Sequence, residues 1–378
     1  MRRDRWCQLA LGLVGLGLAC SSGACASDDG AAGAAGGGAS AGLNGGGGSG
    51  ATQGGGGTTP QGGTGGTGGS AGNWRPFSDT SPWNTPIAAD PAVDPASAAL
   101  VADWSTVPGQ TTLWINITTY SMPVYWVDST TTPMVTVAAA VGGTGFRDGA
   151  VNPWDAAASG PAPIPAGATP ADGTDRHLAV VDRTVRMEWG LWNADDSSGS
   201  WTAGEASTMD LAGEGVRPST LLDPWWAGAG PRACGYALIA GLITVAEIQA
   251  GSIDHALVVA YPHIRSRYFT SPASSAQGTT GEALPDRGIP CGGHLQLDPA
   301  LDVSTLGLSP AGLAIAHALQ QYGAFVGDFS GAMSLYADAS AEAQAYWNSG
   351  ALGSGDVQAI ALDRFRVLAL GPLSDNGN

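Results

Sequence analysis

Asp175, His177, Arg186, Glu188 and Trp192 fall within one short stretch, Asp175-Arg-His-Leu-Ala-Val-Val-Asp-Arg-Thr-Val-Arg-Met-Glu-Trp-Gly-Leu-Trp192. These residue types suit acid–base chemistry on a sugar. Glu188 and Asp175 form an acidic pair, His177 adjusts proton affinity beside them, and Trp192 offers an indole face to a pyranose ring. The apolar runs on either side of Arg183-Thr184 predict a β-hairpin, with Asp182 opposite Val185, Val181 opposite Arg186 and Ala179 opposite Glu188. Side chains alternate between faces. Leu178, Val180, Val185, Met187, Trp189 and Leu191 then form an apolar face, with Asp182 near its turn end. Asp175, His177, Arg186, Glu188 and Trp192 form the polar face, where His177 lies diagonally from Glu188. That face reads either as the wall of an active site or as an ordinary solvated sheet surface. The scarcity of histidine, five in 378 residues, and the cost of exposing Trp192 favour the wall.

Other candidates are scattered. His255 lies in the run Ile253-Asp-His-Ala-Leu-Val-Val-Ala-Tyr261, on a face with Leu257 and Val259, and serves either as a base or as a satisfied core histidine. His263 and Arg265 follow it. His294, Gln296 and Asp298 share one face of a short strand, placed to line a groove. His317 flanks the stripe of a helix and reads as structural. Asp328 reads as a site acid or a turn residue. Two enzyme chemistries fit this inventory. A glycoside hydrolase would use Glu188 with Asp175. A polysaccharide lyase would use His177 or His255 to take a proton, Tyr322 to return one and Arg186 to neutralise a uronate carboxylate. A non-catalytic glycan-binding module is the alternative outside enzymes, and thirteen Trp suit any of the three. There is no G-x-S-x-G, G-x-G-x-x-G, P-loop, C-x-x-C or H-E-x-x-H pattern. All 15 basic residues are Arg, so Schiff-base and Ser-Lys chemistry are excluded. No cofactor and no metal are expected.

The elements that must hold these residues read as many short strands. The runs are Thr111–Thr118, Pro123–Val127, Pro133–Ala140, His177–Asp182, Val185–Trp192, Ile253–Tyr261 and His294–Asp298, separated by Gly- and Pro-rich turns. Two segments read as helices. Thr244–Ala250 opens with the capping box Thr244-x-x-Glu247 and stops at Gly251. Pro310–Tyr322 has Ser309 as its cap and Gly323 after its end. The expected class is all-β, a β-sandwich or jelly roll with one or two appended helices. Residues 73–378 make one domain of this kind.

The ends of the chain supply an address. Arg2, Arg3 and Arg5 precede an apolar run from Leu9 to Ala19, which reads as a signal peptide over residues 1–19. Either Cys20 is lipidated and anchors the protein to the outer membrane, or cleavage after Ala24-Cys25-Ala26 releases it. Residues 20–72 are mostly Gly, Ala, Ser and Thr, too poor in apolar groups to fold. They read as a tether with an r.m.s. reach of roughly 40 Å. The net charge is −17, which argues against nucleic acid, nucleotide and anionic membrane as partners. Of five Cys, Cys234 and Cys291 lie in the domain and are expected to bond in an oxidising compartment.

Ser81-Pro-Trp-Asn-Thr-Pro-Ile87, Asp175-Arg-His177 with Glu188, and Ile253-Asp-His-Ala-Leu257 together resemble a family of secreted β-rich proteins of actinobacteria and myxobacteria. Gly288-Ile-Pro290 leading to Leu295-Gln-Leu-Asp-Pro299, and Ala318-Leu-Gln-Gln-Tyr-Gly323 leading to Asp328, extend the likeness over most of Trp74–Tyr336. After Gly288-Ile-Pro290, where a charged residue is expected, this chain has Cys291-Gly292. The resemblance implies a secreted β-rich domain acting on extracellular polysaccharide. It assigns no catalytic residue.

Overall fold

The computed structural model describes residues 74–107, 111–140, 145–147, 160–217, 230–276 and 287–375. The expected signal peptide, Cys20, and the tether up to residue 72 lie outside the described residues. In chain order the elements begin with α1 (Ser97–Ser105), β1 (Leu113–Asn116), β2 (Val124–Val127), β3 (Val135–Ala139), β4 (Gly145–Arg147) and β5 (Gly160–Ala162). Next come β6 (Leu178–Asp182), β7 (Met187–Trp192), β8 (Thr202–Ala203), β9 (Glu205–Asp210), α2 (Val245–Ala250) and β10 (Leu257–Tyr261). They continue with β11 (Arg265–Phe269), β12 (Pro290–Cys291), β13 (His294–Leu297), α3 (Pro310–Gln321) and β14 (Ala324–Phe329). The last are β15 (Met333–Tyr336), α4 (Ala341–Tyr346), β16 (Phe365–Val367) and β17 (Ser374–Asp375).

The domain is β-rich, with mixed sheets and few short helices. A six-stranded sheet runs β1-β15-β10-β14-β13-β16 and a five-stranded sheet runs β2-β6-β7-β9-β4. Two three-stranded sheets, β5-β3-β8 and β12-β11-β17, complete it. Parallel pairs such as β10 with β14 and β2 with β6 sit beside antiparallel ones. Trp104 of α1 and Leu319 of α3 pack on Val259, Leu295 and Leu335, covering one face of the six-stranded sheet.

The five-stranded sheet is buried on both sides. Leu178, Val180 and Leu191 join Val137, Ala162 and Ala203 in one apolar cluster. Ala179 and Val181, on the opposite face of β6, join the larger cluster that holds the six-stranded sheet. All five residues of β6 are therefore buried, and the polar face expected for this hairpin turns inward, not to solvent.

The hairpin register also differs from the expected one. Asp182 pairs with Met187 and Val181 with Glu188. Asp182 sets the turn: its carboxylate accepts from the backbone N–H of Thr184 at 2.7 Å and of Val185 at 3.2 Å, and from Ser129 N–H and O–H at 2.8 and 2.6 Å. Burial works to raise its pKa, but these hydrogen bonds outweigh that and hold it below the ordinary value. The loop is Arg183–Arg186, closed by Arg186 at φ 52°. The displacement is even, so each residue keeps the face that alternation assigns it.

Both expected helices form with their caps. The Thr244–Glu247 box closes α2 at its start and Gly251 ends it at φ 73°. Ser309 Oγ accepts from Gly312 N–H at 3.0 Å at the head of α3. Cys234 and Cys291 form a disulfide.

Candidate functional site

Residues 230–243 run without strand or helix between the two large sheets, and most of them are buried. A buried irregular segment must find partners for its peptide groups among side chains. His177 and Glu188 are two of those partners. His177 Nε2 donates to the Pro231 carbonyl at 2.9 Å. Glu188 accepts from Leu238 N–H at 2.7 Å and from Ile239 N–H at 2.8 Å, one with each oxygen. Arg217 Nε donates to Gly235 O at 3.2 Å, and Arg232 Nη2 to Leu238 O at 2.9 Å. The fit is close: a Cβ on Gly190 would stand 2.8 Å from Pro231 Cγ and 3.0 Å from Glu188 Oε1.

This corrects the expected wall. Glu188 is 1% exposed and serves the backbone. Burial pushes its pKa up to about 7, against the pull of the Ile239 and Leu238 amides and of the Arg232 and Arg217 charges. Burial and the neighbouring charge of Arg232 push His177 down to about 3, so its imidazole is neutral.

Asp175 stays at the mouth of the hairpin, half-buried, and meets a different carboxylate. Asp328 lies in β14 after a bulge: Val259 faces Val326 but Ala260 faces Asp328, leaving Gly327 as the extra residue. A Cβ at Gly327 would stand 2.5 Å from Val258 and 2.9 Å from the Tyr236 ring. Such a bulge re-aims the side chain that follows it. Asp328, Ala260 and Ser334 share a row, and Tyr336 follows on the same face.

Beside Asp328 lies Arg232, fully buried, its Cζ 4.9 Å from the centre of the Tyr336 ring. Arg232 Nε and Nη1 have no hydrogen-bond partner. Burial pushes Asp328 up to about 7. Arg232 and the Phe329 amide oppose that rise, while the charge of Asp175 reinforces it. The Asp175 pKa is raised by burial, moderated by a hydrogen bond from Trp192. Trp192 is 39% exposed, and a Cβ on Gly204 would stand 2.8 Å from its ring. Its orientation is thus fixed by Asp175 at one end and Gly204 beneath. The arrangement is a carboxylic acid poised near neutrality, a second carboxylate, a buried cation and an indole platform.

The remaining candidates lie elsewhere. His255 Nε2 meets Glu247 Oε1 at 2.7 Å and His255 Nδ1 meets the Ala256 carbonyl at 2.9 Å, so neither ring nitrogen is left to act as a base. Its pKa is raised: burial works against the charged form, but the charge and hydrogen bond of Glu247 outweigh it. Tyr322 ends α3; burial and the charge of Asp254 raise its phenol. Arg75 bears on both His255 and Tyr322, but neither reaches the Asp175 pair. Arg186 Nη2 donates to the Phe77 and Leu211 carbonyls at 3.0 and 2.7 Å.

His294 does line a cleft, of about 370 Å³, with Ile87, Phe325 and Leu368. It stacks on Phe325 at 4.1 Å and donates from Nε2 to Tyr322 O at 2.7 Å. Burial pushes it down to about 4.

Arg232 and Tyr336 carry no sequence signal that separates them from structural residues. Asp328 had one, the glycine before it inside an apolar run. Among the described residues no group of three or more His, Cys, Asp or Glu is placed to hold a metal ion. Comparison with protein-family models, with curated proteins and with solved structures finds no match for this chain.

Proposed function

We propose that the protein is a glycoside hydrolase that uses Asp328 and Asp175 as its acid pair on an extracellular polysaccharide. The supporting observation is the interaction of two half-buried carboxyl groups, Asp175 from the segment before β6 and Asp328 from β14, with the buried Arg232 beside Asp328 and the half-exposed Trp192 tied to Asp175. Asp328, raised to about 7, retains its proton near neutral pH and donates it to the leaving glycosidic oxygen. Asp175, the second carboxyl group, stabilises the positive charge that develops on the sugar, either as nucleophile or by activating water. Trp192 carries the sugar ring. Glu188 and His177 support this site from behind by holding residues 231–239.

The scaffold reads as a β-sandwich, supported by two large sheets that share one apolar cluster. The location is proposed as the cell surface, by a lipid on Cys20, or the medium after release. The N-terminal sequence pattern and a disulfide in the domain support it.

Incubation with a panel of polysaccharides, followed by assay of new reducing ends, tests the function. Wild-type protein is expected to release them from at least one polymer, and Asp175→Asn and Asp328→Asn to lose at least about a thousandfold. Products with absorbance near 235 nm would indicate a lyase instead. Retention on a glycan matrix with no product would indicate a binding module.

A further inference from the structure

The tip of the β6–β7 hairpin carries a second constellation, which the acid pair does not use. Arg183 is exposed, with its Cζ 3.7 Å from the centre of the Trp126 ring and 5.3 Å from that of Trp74. The two indoles meet edge to face, 5.2 Å apart at 85°. Among the described residues Arg183 makes these cation–π contacts and no ion pair or hydrogen bond, and partial burial lowers its pKa. In a chain of net charge −17 this guanidinium, held on two indoles, is a site of positive charge with no counter-ion among the described residues. Arg186 Cζ approaches the centre of the Trp74 ring to 5.8 Å.

A cavity of about 60 Å³ opens beside them, bounded by Trp74, Trp126, Arg183, Ile239, Thr244 and His255. That is room for roughly two waters or one small anionic group. The Trp74 indole N–H is buried with no acceptor. Glu247, the carboxylate on this wall, is already occupied: Oε1 pairs with His255, and Oε2 accepts from Thr244 N–H and O–H at 2.9 and 2.8 Å. The cavity is therefore lined by the Arg183 charge and the unpartnered Trp74 indole N–H, with the Glu247 carboxylate tied to His255 and Thr244. Trp126, 36% exposed, stands at its rim.

We propose that this pocket binds a hexuronic acid, its carboxylate received by Arg183 and the Trp74 indole N–H and its ring resting against the exposed part of Trp126. Arg183 lies roughly 26 Å along the chain from Asp175, at about 3.3 Å per residue. The pocket does not depend on the function proposed for Asp175 and Asp328. It gives the protein a grip on an acidic polymer, separate from the acid pair.

Titration of the full chain with glucuronate, methyl glucoside and inorganic sulfate tests it. The readout is the Trp74 indole N–H resonance, assigned with Trp74→Phe. Glucuronate is expected to give a saturable shift and methyl glucoside none. Arg183→Gln should weaken the glucuronate complex about tenfold or more, and Arg183→Lys should recover part of the loss. Because Arg183 is exposed, both variants retain the fold. Equal affinity for sulfate and glucuronate would show an adventitious anion site only and overturn the proposal. So would an Arg183→Gln titration indistinguishable from wild type, equal shifts with methyl glucoside, or no saturation in wild type. Reducing-end release is not read in this assay, so its outcome and that of the hydrolase test stay separate.

Discussion

Glu188 and Asp328 have similar proton affinities but different hydrogen-bond partners, and that difference separates their proposed roles. Both are raised to about 7 chiefly by burial. Glu188, however, spends both oxygens on backbone amides, whereas Asp328 is half-buried and meets its own neighbour's amide at 2.9 Å. Glu188→Gln replaces one acceptor by a donor facing a donor, an expected loss of about 1–3 kcal/mol in denaturant unfolding with activity per folded molecule retained. The linkage has a definite sign. Native Glu188 binds its proton more tightly than its ordinary value of 4.5, so its contribution to stability falls as pH rises from about 4.5 to 7 and is constant above. His177, lowered from 6.5 to about 3, contributes the opposite slope, stability rising between those limits. Thermal midpoints of wild type and Glu188→Gln across pH 4–8 should diverge with the Glu188 slope missing from the variant; parallel curves would contradict the assigned burial. The types and faces of Asp175, His177, Glu188 and Trp192 were legible in the sequence. What the polar face packs against was not, because alternation says which residues share a side and nothing about the layer opposite.

Among the elements, those with local signals were readable. The α2 capping box and the Ser309 cap of α3 are short-range chemistry, and both formed as read. α1 has no side-chain cap hydrogen bond, and its Leu100 and Trp104 are held by tertiary packing, which no local pattern announces. The hairpin register shifted because Asp182 organises the turn, a side-chain choice outside the loop-length rules. The Gly327 bulge is the element-scale device on which the site depends. Gly327→Ala places a methyl group against Val258 and the Tyr236 ring. It is expected to lower both thermal stability and activity, and unchanged activity would remove the bulge from the account. The irregular segment 230–243 is pinned by Cys234–Cys291. Cys234→Ala with Cys291→Ala should cost about 2–4 kcal/mol in chemical unfolding and raise hydrogen exchange at Leu238 and Ile239 first. Uniform protection there after the change would show that Glu188 and Arg232 suffice to hold the segment.

At the scale of the whole molecule, the β-rich class followed from counting strand-like runs, while the stacking of sheets did not. The five-stranded sheet contributes to two apolar clusters, so residues that alternate like a half-solvated sheet are buried on both sides. This layering turns the polar face of the hairpin into the lining of an interior joint. Asp175, Asp328 and Trp192, at the joint's mouth, are at least partly open to solvent. In the proposed function the acid chemistry belongs to the mouth and the stability to the joint. The most direct test is reducing-end release from the polymer that wild type cleaves, measured from pH 5 to 8 for wild type, Asp328→Asn and Glu188→Gln, each normalised to its folded fraction. The account predicts that wild-type activity declines as pH rises through about 7, when Asp328 loses its proton. It also predicts that Asp328→Asn is inactive throughout and that Glu188→Gln keeps the wild-type profile. Loss of activity in Glu188→Gln with Asp328→Asn left active would contradict it.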